Sequence, residues 1–270
     1  MNLTTIGLKG ISYLKPAVAI EPFLKQQLRQ SLQALSVNIP VNIKIPLHFL
    51  PSHVPITYRC AIALRLAKPC QQLPLTLATQ IQLQLQQQLV HHWTIQVIPP
   101  GKIQFELTDI GLAQWLQQTL ESPFLLTSTQ LPQAFPEPLF PIQYSHARCC
   151  ALLRLAQSDD LLSVQPQPIP WLNARQELQL THPAEQGLIA QWVATLDTCD
   201  ADLPNTPWLE IAQHLSQRFQ IFYRDCRIWG RVKTATPELA QARLGLVKIT
   251  QWMLQFLLQN KLGIIAPIEL

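Results

Sequence analysis

A proline-rich segment at residues 121–143 constrains the fold of this 270-residue chain more than any other feature. It contains five prolines in 23 residues. Because each proline fixes φ and removes a backbone donor, neither a regular helix nor a central strand is expected across the segment. The segment therefore predicts a linker between two domains, residues 1–120 and residues 144–270.

The sequence before the linker mixes helical and strand patterns. Leucines at positions 24, 28, 32 and 35 predict a helix within residues 15–36, and apolar residues repeating every four positions predict another over about 74–89. Two segments that alternate apolar and polar residues, 93–98 and 102–107, flank Pro99-Pro100-Gly101 and predict a β-hairpin. With a further helix expected over 110–120, the pattern indicates an α+β domain.

The sequence after the linker reads as an all-α bundle. Its last helix has a clear start at Thr236-Pro237-Glu238, with a hydroxyl for capping, a proline for the first turn and an acid beside it. Gly263 is placed to end that helix. Helices are expected near residues 144–157, 171–178, 183–197, 207–229 and 237–261.

The charge of the chain is weak and uneven. Charged residues make up 13% of the sequence and the net charge is +4, which is unlike the strongly basic balance of a dedicated nucleic-acid binder. Residues 1–122 carry nine Lys or Arg against four acids, whereas the remainder carries eleven against twelve. Any attraction for phosphates must therefore come from the first half or from local clusters in the second.

Six cysteines occur without a Cys-x-x-Cys pair and without histidines spaced to complete a zinc site. We expect free thiols in a reducing cytoplasm, no metal and no cofactor. The first residues lack the pattern of a signal peptide, and the longest apolar run, residues 249–258, is too short to span a bilayer. The expected location is cytoplasmic, with no membrane association.

The titratable residues do not suggest an enzyme. His91-His92 and Asp159-Asp160 have no partner nearby in the sequence that would make them a metal or acid–base site. Arg148 could lower the pKa of Cys149 or Cys150, and His146 could act as a base, but buried structural thiols are the favoured interpretation.

Three separated motifs in the second half resemble one known domain. They are Tyr144-Ser145-His146-Ala147-Arg148, the run at 213–228 with Phe219, Phe222-Tyr223 and Asp225-Cys226-Arg227, and residues 243–248, Arg-Leu-Gly-Leu-Val-Lys. In this order and spacing they resemble the DALR-type anticodon-binding domain of arginyl-tRNA synthetases. The resemblance implies a helical bundle of the class I synthetase anticodon-binding type.

The first half resembles the additional N-terminal domain of the same synthetases, which touches the tRNA elbow. The similarity rests on residues 58–68, on the helix that follows, and on a hairpin with Pro100, Gly101, Ile103 and Phe105. Some positions where contacts are expected depart from the family, because Thr57 and Ala61 replace Asp and Asn, and Lys102-Ile103-Gln104 replaces Phe-Ile-Asn.

A synthetase carries its catalytic domain between these two modules, where this chain has only the linker. The chain has no His-x-Gly-His motif, no Lys-Met-Ser-Lys loop and no Gly-x-Gly-x-x-Gly phosphate loop. The resemblance therefore predicts a non-catalytic paralogue, not an enzyme, with no site for ATP or arginine.

The leading hypothesis is that the chain binds tRNA or a tRNA-like RNA. Aromatic rings can stack on splayed bases while guanidinium groups hold phosphates. The alternative is a repurposed protein-interaction or scaffold subunit, favoured by the weak charge and by the replaced contact positions. The candidate RNA-binding residues are Tyr144, His146, Arg148, Arg218, Tyr223, Arg224, Arg227, Arg231, Lys102 and Gln104.

Overall fold

The computed structural model describes residues 19–35, 43–51, 55–122, 137–162, 168–201 and 203–270. Most of the predicted linker, residues 123–136, lies outside the described residues. The described part confirms the predicted fold class, because a small sheet with helices is followed by a helical region.

The first half is built on a four-stranded antiparallel sheet in the order β1-β2-β4-β3. The predicted hairpin is its β3–β4 pair, in which Ile98 faces Lys102 and Trp93 faces Leu107. Gly101 forms the turn with φ +150°, and a Cβ there would lie 2.8 Å from Pro74. The strands are β1 (Leu47–Phe49), β2 (Thr57–Cys60), β3 (Trp93–Ile98) and β4 (Lys102–Leu107).

Helices cover one face of this sheet. The leucines that predicted the first helix pack as expected, since Leu24, Leu28 and Leu32 are buried. On β4 the side chains alternate, with Ile103, Phe105 and Leu107 in the core and the polar residues on the other face. The helices are α1 (Ile20–Ala34), α2 (Ile62–Leu66), α3 (Pro74–Gln88) and α4 (Asp109–Glu121).

The second half packs its helices around α9 (Pro237–Phe256), in which Ala242, Leu246, Ile249 and Met253 are buried at helical spacing. Residues 257–261 continue this helix as a π-helical turn. The helix predicted over 207–229 ends earlier, at Asp225, and Gly230, with φ +70°, directly precedes the short helix Arg231–Ala235. The helices are α5 (Phe140–Ser158), α6 (Pro183–Ala201), α7 (Trp208–Asp225), α8 (Arg231–Ala235) and α9 (Pro237–Phe256).

The start of one helix and the whole of another also differ from the sequence prediction. Helix α5 begins at Phe140, inside the predicted linker, because Pro141 falls in its first turn, where the missing N–H is tolerated. The helix predicted over 171–178 is wrong. Leu172 instead forms a β-bridge with Leu178, and the Asn173 side chain accepts from the backbone N–H groups of Arg175 and Glu177.

The two halves pack directly against each other. Asp197 on α6 accepts a hydrogen bond from the Tyr58 hydroxyl on β2 and another, at 2.9 Å, from the backbone N–H of Glu21 on α1. A second contact joins α4 to the segment before α6, where Gln117 Oε1 accepts from Trp171 Nε1 at 3.1 Å. We call this set of contacts the domain junction.

Burial of the junction perturbs its acid. Desolvation raises the pKa of Asp197 to about 6, although the hydrogen bonds from Tyr58 and Glu21 act in the opposite direction. Tyr58 is fully buried, and the same desolvation, together with Asp197, raises the pKa of its hydroxyl. The junction is therefore a dry polar contact.

Candidate nucleic-acid interface

An arginine and a tyrosine from neighbouring helices meet on the surface of the helical half. The Arg148 guanidinium on α5 lies 4.7 Å from the centroid of the Tyr223 ring on α7 and donates to its hydroxyl oxygen. Tyr223 in turn stacks on Phe219, with ring centroids 6.2 Å apart and planes 19° apart. Since Phe219 is buried and Tyr223 is 37% exposed, the core holds the tyrosine in place at the surface.

The packing of α5 on α7 fixes this pair. The Ser145 and Ser216 hydroxyls are 2.8 Å apart and buried, and Ser216 also donates to the Pro141 carbonyl at 3.0 Å. These contacts set the register of the two helices one turn away from Arg148. The aromatic–arginine contact is therefore supported by two rigid elements.

Tyr144 lies one turn before Arg148 on the same side of α5 and is 47% exposed. A groove of about 150 Å³ runs between this side of α5 and the last residues, 268–270. Tyr144 and Arg148 both line it, together with Arg154, which is paired with Glu269 at 3.3 Å. The structure thus brings Tyr144, Arg148 and Tyr223 to one surface; we call these three residues the aromatic–arginine cluster.

His146 does not belong to that surface, which corrects its assignment as an RNA-binding residue. Its side chain is buried, with Nδ1 2.8 Å from the Pro267 carbonyl oxygen and Nε2 2.9 Å from Gln251 Nε2. This pattern corresponds to a neutral ring that donates from Nδ1 and accepts at Nε2. Desolvation lowers its pKa accordingly. His146 ties the last residues to the bundle and has no nitrogen left for a ligand.

Four further arginines extend from α7 into α8, and all four are exposed. Arg224 is paired with its neighbour Asp225 at 2.6 Å, so its charge is partly balanced. Arg218, Arg227 and Arg231 form no ion pair with any residue that the structure describes. Their charges are therefore available to a ligand, although they are not tied to the aromatic–arginine cluster by a contact among those residues.

The two candidates on the sheet have different surroundings. Gln104 accepts from Arg59 at 2.7 Å and donates to Glu106 at 2.6 Å, so its amide is occupied within the polar face of the sheet. Lys102 is half-buried at the end of β4, opposite Ile98. Across the described ranges, no contact joins these two residues to the cluster on α5 and α7.

The buried thiols are not activated. Cys150 lies 3.8 Å from His146 Nε2, and Cys226 lies 3.4 Å from His182 Nδ1. Desolvation nonetheless raises the pKa of Cys150, and that of Cys226 to about 12. A protonated thiol is a poor nucleophile. Within the described part of the chain, no group of three or more His, Cys, Asp or Glu side chains could hold a metal ion.

Sequence reasoning missed two features of this half. Phe140 stacks on Tyr144, although the sequence prediction places Phe140 in the linker. The spacing of four residues between them is the only sequence signal that indicates a shared helix face. Arg243 lies within a motif used for the resemblance, yet it is buried and pairs with Glu185 at 2.6 Å, so its role is structural.

No helix in the described ranges combines the length and hydropathy needed to cross a bilayer.

Comparison with known protein families finds one match in each half of the chain. Residues 142–270 match the family described as DALR anticodon binding domain. Residues 22–107 match the arginyl tRNA synthetase N terminal domain. The chain thus contains two regions similar to domains of arginyl-tRNA synthetases. Residues 108–141 separate the two matched regions of this synthetase-like chain.

The curated relatives are all longer than the regions they share with the chain. The chain is 32% identical to the arginine–tRNA ligase of Synechococcus sp. (strain JA-3-3Ab) over 164 residues, which cover 58% of the chain and 27% of the ligase. It is 38% identical to the arginine–tRNA ligase of Moorella thermoacetica over 138 residues, covering 50% of the chain and 23% of that ligase. The synthetase-like chain thus matches about a quarter of each relative's length. No solved structure matches it.

Proposed function

We propose that the chain is a non-catalytic paralogue of arginyl-tRNA synthetase that binds tRNA or a tRNA-like RNA. The observation that carries this proposal is the aromatic–arginine cluster, because it lies on the surface of a domain that matches the anticodon-binding family. The bound part of the RNA would be unpaired, since only splayed bases can stack on exposed side chains.

The chemistry of the cluster suits a single-stranded loop. Every base has a flat π-face, so a tyrosine can stack on it without a particular sequence. A guanidinium group beside the ring can hold a phosphate and can also stack on a base. The described residues place no carboxylate on Arg148, so its charge is not cancelled within the protein.

The surrounding arginines support the same ligand. Arg218, Arg227 and Arg231 add positive charge along α7 and α8, in a half whose total charge is close to balanced. Phosphate contacts of this kind release counterions, so affinity should fall as salt rises. A local cluster can therefore bind RNA even though the chain as a whole is only weakly basic.

The absence of aminoacylation is part of the proposal. The residues between the two matched regions, 108–141, include helix α4, which packs in the first half. The family resemblance places the catalytic domain between these regions, whereas here Tyr58 and Asp197 join the two halves directly. This direct contact between the halves supports the absence of a nucleotide-binding domain between them.

RNA binding is tested by filter binding of total tRNA at low salt, with duplex DNA as competitor. We expect saturable binding that weakens steeply with salt and that exceeds binding to the duplex. No binding, or no preference over duplex DNA, would contradict the proposal. The non-catalytic part is tested separately by arginine-dependent exchange of pyrophosphate into ATP, for which we expect no signal above a blank.

A protein partner is the second candidate function. Leu155 on α5 and Ile268 in the last residues are large apolar side chains, 46% and 61% exposed. Exposed apolar groups near a groove are also typical of a docking surface. Affinity capture from the native cell distinguishes the two functions, since a stoichiometric protein partner recovered without RNA would favour this one.

A further inference from the structure

We propose that Phe140 and Tyr144 together form a platform on which two successive unpaired bases of the RNA stack. This inference rests on the proposed RNA-binding function and deepens it by adding a residue. Phe140 lies before the region that matches the anticodon-binding family, which begins at residue 142. The platform is therefore a feature of this chain's own helix start.

The two rings are arranged as an exposed stack. Their centroids are 6.4 Å apart and their planes differ by 26°. Phe140 is 49% exposed and Tyr144 is 47% exposed, so both rings present apolar surface to water. Aromatic side chains usually bury most of their surface, and two adjacent half-exposed rings are a typical platform for nucleic-acid bases.

The position of the pair on α5 continues the aromatic–arginine cluster. Phe140, Tyr144 and Arg148 follow one another at intervals of four residues, which places them on one face with about 6 Å between successive positions. A strand whose bases stack on the two rings then passes the Arg148 guanidinium, which can hold its phosphate. Glu269, which lines the groove beside Tyr144 and Arg148, is already paired with Arg154.

The composition of the surface favours RNA over a peptide as the occupant. The rings are held by helix α5 and are followed by a guanidinium group without a carboxylate partner among the described residues. Stacking and phosphate contacts are the two interactions that single-stranded RNA offers together. A peptide would have to present an acid beside its apolar side chains to match both features, whereas every nucleotide of single-stranded RNA carries a base and a phosphate.

The test uses a short single-stranded RNA that carries adjacent 2-aminopurines, whose fluorescence is quenched on stacking, and a matched strand in which those two positions are abasic. Wild type should quench the fluorescence and should bind the base-containing strand roughly tenfold more tightly than the abasic one, as stacking contacts are worth about that much. Phe140→Ala and Tyr144→Ala should each lose quenching and most of that preference.

Matched variants separate stacking from other effects. Phe140→Trp keeps a ring and should keep the quenching, whereas Phe140→Leu keeps apolar volume without a ring and should lose it. Leu83→Ala, an exposed apolar site on α3, should bind like wild type. Thermal unfolding of each variant shows whether it is folded. We expect all of them to fold, since both rings are half-exposed in wild type.

The two levels of the proposal fail in different ways. If wild type binds RNA but prefers the base-containing strand no more than the abasic one, or if Phe140→Ala quenches as well as wild type, the platform is wrong while RNA binding stands. If wild type binds neither strand nor total tRNA, both the proposed function and the platform are wrong.

Discussion

The domain junction and the aromatic–arginine cluster use similar side chains in opposite ways. At the junction, Tyr58 and Asp197 are buried and hydrogen-bonded to each other. In the cluster, Tyr223 and Arg148 also contact each other, but Tyr223 is partly exposed and no carboxylate from the described ranges joins the pair. The first region has its polar groups satisfied within the protein, whereas the second leaves a ring and a charge for a ligand.

This difference separates residues that should control stability from residues that should control binding. A change at the junction removes packing or leaves a buried polar group without its partner, both of which are costly. A change in the cluster removes little buried surface, so the folded state should tolerate it. Each prediction below tests one side of this separation.

The largest effect is expected from Trp171→Ala at the junction. Trp171 is 3% exposed, and it packs so closely on α9 that a Cβ at Gly245 would lie 2.3 Å from its ring. Truncation leaves a cavity and removes the donor to Gln117, so we expect a loss of about 3–5 kcal/mol in the free energy of unfolding. Urea denaturation followed by circular dichroism measures the loss.

The control for this variant is Leu203→Ala, because Leu203 is 66% exposed and its truncation should change stability by less than about 0.5 kcal/mol. Where Trp171→Ala is still folded, its affinity for RNA should equal that of wild type. An unchanged unfolding midpoint, or a loss of RNA affinity in the folded variant, would remove the distinction between the two regions.

The next effect is a pH dependence of stability from Asp197. Its pKa is about 6 in the folded protein against an ordinary value of 3.8, so between these values the folded state holds a proton that the unfolded state has released. This group therefore adds roughly 3 kcal/mol to the free energy of unfolding below about pH 4, and that contribution is lost as pH rises through 6. Asp197→Asn cannot titrate and should lack this contribution.

The measurement compares wild type with Asp197→Asn by urea denaturation across pH 4–7. The stability of wild type is compared with that of the variant, and not measured alone, because His146 also makes stability depend on pH. Burial lowers the pKa of His146, so this side chain destabilises the fold as pH falls below its ordinary pKa of 6.5. We expect wild type to lose stability relative to the asparagine variant as pH rises. Parallel curves for the two proteins would mean that the carboxyl is not desolvated at the junction.

A smaller free-energy change is expected at the cluster, from Arg148→Ala. Losing the guanidinium removes a phosphate contact and the cation above the Tyr223 ring, which should weaken RNA binding about tenfold. The slope of log affinity against log salt should fall by about 0.7, the value for one phosphate on a single strand. Fluorescence anisotropy with labelled tRNA gives both quantities.

Arg175→Ala is the matched control, because it removes the same charge from an exposed loop. It should reduce affinity by less than about twofold, since an exposed charge away from the bound strand is screened. Equal losses in the two variants would mean that the RNA senses only the total charge of the chain. The free energy of unfolding should change by less than about 0.5 kcal/mol in Arg175→Ala and by about 1 kcal/mol or less in Arg148→Ala, which also loses the contact with Tyr223.

The sequence predicts structural features whose residues lie close together along the chain, and it does not predict contacts between distant residues. The buried face of α1 and the β3–β4 hairpin follow from local periodicity, and both were predicted. The Tyr58–Asp197 contact joins residues 139 apart, and the burial of His146 depends on Pro267, 121 residues away. No local pattern contains either contact.

The wrong helix over 171–178 shows a different limit. Its apolar residues have a spacing that a helix would also use, but the backbone hydrogen bonds go elsewhere. The Asn173 side chain captures two N–H groups, and Gln176 adopts φ +62°, in the left-handed region. Such local side-chain capture competes with a helix and is difficult to recognise from apolar spacing alone.

The smallest effects are expected on the sheet, and they compare the RNA candidates of the two halves. Gln104 is already bonded to Arg59 and Glu106, so Gln104→Ala should change RNA affinity by less than about twofold, because RNA would have to displace both partners. Lys102→Ala removes one half-exposed charge without a carboxylate partner among the described residues and should cost about twofold. Anisotropy at low salt, with Arg148→Ala measured in parallel, resolves these differences. A loss at Gln104 as large as that at Arg148 would show that the sheet carries RNA contacts of its own, and the helical half would then be one of two binding surfaces.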